Sequence, residues 1–295
     1  MKKNLWIVVF IAVAFAGDRL IGWYLQNQIS QSQFRYSKMY RGEGSSDLLV
    51  VGNSRGLNVF LPTVQELSGR NAFSICYNGM PGNIAEVMTK DYLEKYPTTK
   101  TVFLEVCMAE MADAKLVPGF ATYITNSPRI DSLLKVESTD TWYGSKVSHI
   151  FRYNNEVSQR ALYYMNRSDN DWISERVISP TLIKEAPKYG MKFVADPKQL
   201  QFIQHITKYC DSRGIEIKLL IAPFYPGFKL DNREYFKDQI EALTGKPVHD
   251  YSYNIKDTFA FSDYFHLNEK GAKEFVQQLY RDSILTNKPA LAQLK

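Results

Sequence analysis

The chain has 295 residues, 45% of them hydrophobic and 23% charged, and a net charge of +5. That length suits one or two domains with a sizeable core, and the ordinary composition excludes a disordered chain, a collagen and a polytopic membrane protein. The small positive surplus is scattered along the chain. A nucleic-acid binder would concentrate it in a basic stripe, so no nucleic-acid partner is expected.

Lys2 and Lys3 precede an apolar run from Leu5 to Gly17, and apolar character resumes after Asp18-Arg19 as far as Leu25. A helix over Leu5–Leu25 would be about 31 Å long at 1.5 Å per residue, close to a ~30 Å hydrocarbon core. Trp6 and Trp23-Tyr24 fall near its two ends, Asp18 and Arg19 in its outer third, and the lysines hold the N-terminus in the cytoplasm. A retained anchor is the favoured reading. A cleaved signal sequence also fits, through the small-residue steps Ala12-Val13-Ala14 and Ala14-Phe15-Ala16, and a buried soluble helix is the third alternative. The first two place the remainder outside the cytoplasm. The expected organisation is an anchor over 1–26, a stem over 27–46, one α/β domain over 47–285 with an insertion at 111–195, and a tail over 286–295.

From Asp47 onward, strands and helices alternate. Strands are expected at 47–52, 72–77, 101–106 and 215–222, with a short fifth near 248–251. Within 47–52, Leu48-Leu49-Val50-Val51 is a short apolar run that ends at Gly52, as a strand buried on both faces does. Helices are expected at 83–96, stopped by Pro97; at 197–213, with Asp196 as N-cap and Pro197 at its first position; at 235–243; and at 268–280. This rhythm implies a parallel sheet covered on both faces. Between Met111 and Ala195 the rhythm is lost among short helical patterns, which reads as an insertion packed over the sheet, with a cap over a site as one form of it.

Cys76, Cys107 and Cys210 are far apart and form no CxxC pair, so a zinc ribbon is excluded and buried small hydrophobes are expected. His149, His205 and His249 are isolated and read as structural or surface residues.

Two strand-end segments carry chemistry. Gly52-Asn53-Ser54-Arg55 follows the first strand, where a Ser can be presented at the start of a helical turn whose free N–H groups face an oxyanion. Asp263-Tyr264-Phe265-His266 precedes the last helix; Asp and His three apart on a turn can share one side, the carboxylate fixing the ring tautomer. Each alone is weak, since a capping Ser or an incidental turn His explains it equally well. A nucleotide-binding domain built on the Gly52–Gly56 turn is disfavoured, because Gly-x-Gly-x-x-Gly and a P-loop Lys are both absent.

Taken together, Ser54 after the first strand, Tyr77-Asn78-Gly79-Met80-Pro81-Gly82-Asn83 after the second, and Asp263-x-x-His266-Leu267-Asn268-x-x-Gly271-Ala272 before the last helix resemble the SGNH/GDSL hydrolase superfamily, over Asp47 to about Asp282. The anchor followed by Gly-Asn-Ser-Arg looks like a bacterial subgroup associated with cell-surface polysaccharide modification. The resemblance implies a flavodoxin-like three-layer α/β/α sandwich with a parallel sheet behind an N-terminal transmembrane helix. It implies Ser54 as nucleophile, His266 as general base and Asp263 as its orienting partner. The oxyanion hole would be formed by the N–H groups of Ser54 and Gly82. Arg55, beside the expected nucleophile, could bind a substrate carboxylate or phosphate or could equally form a buried ion pair, and Glu105 and Glu110, which bracket the end of the third strand, could pair with it or bind substrate. The function implied is an extracytoplasmic esterase or O-acyltransferase, without metal or organic cofactor, acting on acyl (acetyl) esters of a surface glycan. Its partners would be the acylated glycan or an acyl donor, the bacterial membrane, and a membrane acyltransferase. One block departs: where the family carries Gly-x-Asn-Asp after the third strand, this chain has Val106-Cys107-Met108-Ala109-Glu110. Loss of one such donor costs ~10²–10³ in kcat, so Asn83, Asn53 or Arg55 would have to stand in. Otherwise the fold serves as a module that binds glycan or scaffolds a membrane assembly.

Overall fold

Leu48-Leu49-Val50-Val51 forms strand β1, buried at all four positions. In the computed structural model, which describes residues 5–110, 114–169 and 174–286, six further strands follow: β2 (Ala72–Ser74), β3 (Thr101–Glu105), β4 (Gly190–Lys192), β5 (Glu216–Ile221), β6 (Lys229–Asp231) and β7 (Val248–Asp250). The main sheet runs β2-β1-β3-β5-β7, with every pairing parallel. Counting only its own strands, this is the order 2-1-3-4-5 of a doubly wound sheet, in which the chain reverses direction between β1 and β3. All five expected strands are present, and the second is shorter than read from the sequence. A separate parallel pair, β4 with β6, has no counterpart in the expected elements.

Right-handed crossovers assign the first connection to one sheet face and the next three to the other. The helix contacts follow that division. Leu61–Ser68 packs on Glu269–Arg281, whereas Gly82–Lys95 packs on Pro197–Ser212, which in turn packs on Arg233–Thr244. Asp196 caps Pro197–Ser212, its Oδ1 accepting from the N–H groups of Lys198 and Gln199 at 2.7 and 3.2 Å.

Backbone contacts divide the described chain into two units: residues 5–44 with 114–169, and residues 45–110 with 174–286. The sheet belongs to the second. The stretch expected as one insertion is therefore split, its first part joining the N-terminal helix and its last part joining the sheet.

In the first unit, Leu5–Gln31 is one helix with a mean hydropathy of 1.9 over its most apolar window, long and apolar enough to cross a membrane. Residues 5–16 are all exposed. From Asp18 the helix packs on His149–Tyr153. Asp18 Oδ1 accepts from Ser148 Oγ at 2.6 Å and Ile150 N–H at 3.0 Å, and Oδ2 accepts from His149 N–H at 2.9 Å. Arg19 Nη2 donates to the Val147 carbonyl at 3.0 Å. The two charges inside an apolar helix are thus matched to the positive start of one short helix and the negative end of another. A β-carbon at Gly22 would overlap that of His149, so only glycine allows this approach.

The segment read as a stem is not a linker: Phe34, Tyr36 and Met39 are fully buried. Tyr36 packs against Phe120 and Tyr123, and Phe34 stacks on Tyr164. Each such aromatic burial stabilises by roughly 1.5–3 kcal/mol. Arg35 grips Asp169 with two bonds of 2.8 and 3.0 Å.

Candidate active site

The turn after β1 is shaped by its own polar side chains. Asn53 Oδ1 accepts from Arg55 N–H at 2.9 Å, an Asx turn, and a 3-10 turn over Gly56–Asn58 follows. Ser54 stands at its head. The Asp263 turn is built the same way, with Oδ1 accepting from the N–H groups of Phe265 at 2.7 Å and His266 at 2.9 Å.

These two turns meet. His266 Nε2 lies 2.8 Å from Ser54 Oγ, and Nδ1 lies 3.0 Å from both oxygens of Asp263. The carboxylate selects the tautomer with hydrogen on Nδ1, which leaves Nε2 to accept from the serine hydroxyl. Burial pushes the Asp263 carboxyl up, but the imidazole hydrogen bond and charge and the two backbone N–H groups outweigh it and hold the carboxyl below its ordinary value. The His and Asp side chains are about a third exposed, at 35% and 32%.

The motif around His266 has a packing role as well. Asn268 caps the last helix, accepting from Gly271 N–H at 3.2 Å, while its Nδ2 donates to the Phe259 carbonyl at 2.8 Å. Gly271 lies so close to the Ala260 carbonyl that no side chain fits. The helix and the turn carrying Asp263 and His266 are therefore locked together.

Arg55 does not line the cavity at Ser54. It is 5% exposed. Nη1 donates to the Phe265 carbonyl at 2.7 Å, and Nη2 donates to the carbonyls of Ala222 and Pro223 beyond β5. Nε stands 3.4 Å from Glu105 at the end of β3, and the guanidinium lies over the Phe224 ring. Its donors are directed at backbone and at the buried carboxylate of Glu105, the ion-pair arrangement rather than the substrate-binding one.

Two residues of the expected oxyanion set, Gly82 and Asn83, are engaged elsewhere. Gly82 N–H donates to Gln199 Oε1 at 2.7 Å, and Asn83 Oδ1 accepts from the neighbouring Ile84 N–H at 2.8 Å. Neither residue lines the cavity at Ser54. The glycine-rich turn reaches that cavity through Asn78 instead. Beyond β3, Val106–Ala109 forms a fully buried 3-10 turn and supplies no amide side chain. Glu105 is buried behind it; burial pushes its carboxyl up, and Arg55 acts in the opposite sense. Glu110 is pushed up to about 7, chiefly by burial.

The cavity holds about 410 Å³ and is lined by Ser54, Asp263 and His266 together with Asn58, Asn78, Ser174, Arg176 and Ser262; Leu57 and Leu267 are its apolar members. It falls within the ~300–1,000 Å³ of small-molecule sites. Asn58, Asn78, Ser174 and Arg176 were not singled out from the sequence. Asn78 lies inside the Tyr77–Asn83 segment quoted for the resemblance, while the others carry no local signal. Asn58 Oδ1 accepts from Leu267 N–H at 3.2 Å, tying the Ser54 turn to the residue after His266.

The three cysteines are buried and free, as expected. Among the described residues no cluster of three or more His, Cys, Asp or Glu could hold a metal ion. No family model matches this chain, and no curated protein matches it.

Proposed function

We propose that the protein is an SGNH-type serine esterase or O-acyltransferase, held at a bacterial membrane by its N-terminal helix with the sheet unit outside the cytoplasm. The observation that carries this is the Ser54–His266–Asp263 relay at the end of β1, the strand at which the sheet order reverses and ligands gather in such sheets.

In the proposed cycle, Ser54 Oγ adds to the ester carbonyl carbon while its proton passes to His266 Nε2, and Asp263 stabilises the imidazolium. The oxyanion is met by the Ser54 N–H and the Asn78 side-chain amide. On collapse the bond between carbonyl carbon and sugar oxygen breaks, and His266 returns the proton to that oxygen. The acyl group is then on Ser54. Water, or the hydroxyl of a second sugar, gives its proton to His266 and attacks the acyl carbon; the bond from that carbon to Ser54 Oγ then breaks, and His266 returns the proton to Oγ. The polar cavity, with only Leu57 and Leu267 apolar, supports a short acyl group on a hydroxylated substrate over a long lipid chain.

A fluorophosphonate probe tests this. It should label the full chain, with labelling lost in a folded Ser54→Ala protein. A second reading, a glycan-binding or scaffolding module, is favoured by the engagement of Gly82 N–H with Gln199 and by the absence of an amide at the β3 end. Failure of Ser54-dependent labelling in folded protein selects it.

A further inference from the structure

Residues 174–178 run along the turn that carries Asp263 and His266. Glu269 N–H donates to the Ser174 carbonyl at 3.1 Å and Ile178 N–H to the Phe261 carbonyl at 2.8 Å. Arg176 N–H donates to Ser174 Oγ at 3.0 Å. The segment is therefore hydrogen-bonded at both ends, and Arg176 projects from its middle onto the cavity wall.

The Arg176 side chain donates through Nη2 to the Ser262 carbonyl at 3.2 Å. Among the described residues no carboxylate lies within ion-pairing distance of it, and the carboxylate that shares the cavity, Asp263, is bonded to His266. A guanidinium carries five N–H donors in a planar fork that matches a carboxylate or phosphate. Arg55 is buried and spent on backbone carbonyls, whereas Arg176 is exposed and fixed at the mouth of the nucleophile.

We infer that Arg176 is a specificity-determining residue that binds an anionic group on the sugar bearing the ester, so that the substrate is an acidic glycan. The shared chemistry is a sugar oxyanion, supplied either by a uronic-acid carboxylate or by a sugar phosphate. Its place in the site rests on the proposed role of Ser54, but the binding itself does not.

The full chain in detergent is assayed on mono-O-acetylated methyl glucuronoside and mono-O-acetylated methyl glucoside. Wild type should favour the glucuronoside in kcat/KM by about tenfold, the scale of one charge-assisted contact at an accessible wall. Arg176→Gln should bring that ratio close to one, and Arg176→Lys should restore part of it. A separate arm titrates the Ser54→Ala chain with methyl glucuronoside, methyl glucoside and glucose 6-phosphate, with and without Arg176→Gln. Anion-selective binding that is lost with Arg176 and weakened by salt supports the inference, and the tighter of the two anions identifies its source. If Ser54-dependent turnover fails while this binding persists, the anion site stands and the hydrolytic reading falls. Equal binding of neutral and anionic sugars, or a preference that survives Arg176→Gln, overturns the inference.

Discussion

Arg55 Nη1 donates to the Phe265 carbonyl at 2.7 Å, so the residue after Ser54 is bonded to the residue before His266. The same guanidinium reaches the carbonyls beyond β5 and the carboxylate of Glu105 at the end of β3. One buried side chain thus joins three strand ends and the His266 turn.

Arg55→Ala leaves Glu105 buried without its cation, and loss of one partner of a buried pair costs about 3–5 kcal/mol. Thermal unfolding should show a drop of that order, with activity falling further than stability alone explains. Adding Glu105→Leu to Arg55→Ala should recover part of the loss. Strict additivity in that double-mutant cycle would mean the two residues do not act together.

Asp263→Asn should leave the fold intact but admit the wrong imidazole tautomer. A loss of ~10⁴ in kcat is expected by analogy with the serine-protease relay, whereas KM should change little. Steady-state kinetics on 4-nitrophenyl acetate reads this directly. Retained turnover would remove Asp263 from the relay.

Asn78→Ala should lower kcat by ~10², the cost of one oxyanion donor. Gln199→Ala should leave kcat within about twofold of wild type, because Gly82 N–H lies off the cavity whether or not its acceptor is present. A large rise in kcat in the Gln199 variant would return the oxyanion role to Gly82.

Glu110 sits at about 7 in the folded chain against an ordinary 4.5. The folded state therefore binds this proton more tightly than the unfolded state does. Its contribution is whole below about 4.5 and is lost as pH rises through about 7. Glu110→Gln should raise the melting temperature at pH 8 and have little effect at pH 4. An equal shift at both values would place the cause in packing rather than ionisation.

Asp18→Ala removes three hydrogen bonds from the start of His149–Tyr153. A loss of about 0.5–2 kcal/mol is expected for a cap of this kind. Hydrogen exchange should quicken at residues 148–152, with no change at the sheet.

The local pattern of residues was sufficient for much of this molecule. A short apolar run identifies β1 as a buried strand, Asp196-Pro197 marks a helix start, and the apolar N-terminal run is one helix. These features depend on neighbours within a few positions, which sequence periodicity records. The spacing of Asp263 and His266 on one turn is local in the same sense. Tertiary structure decided the rest, because the deciding contacts join distant residues: Ser54 and His266 are 212 positions apart in the chain. Burial decided between the two readings of Arg55, since its charge is met by Glu105 and its other donors by backbone carbonyls that no local pattern reveals. The hydrogen-bonded course of residues 174–178 brought Arg176 to the cavity, and Gln199 took the Gly82 N–H. Residues 34–41 became core because aromatic partners more than eighty positions away pack onto them, such as Phe120 and Tyr123 on Tyr36.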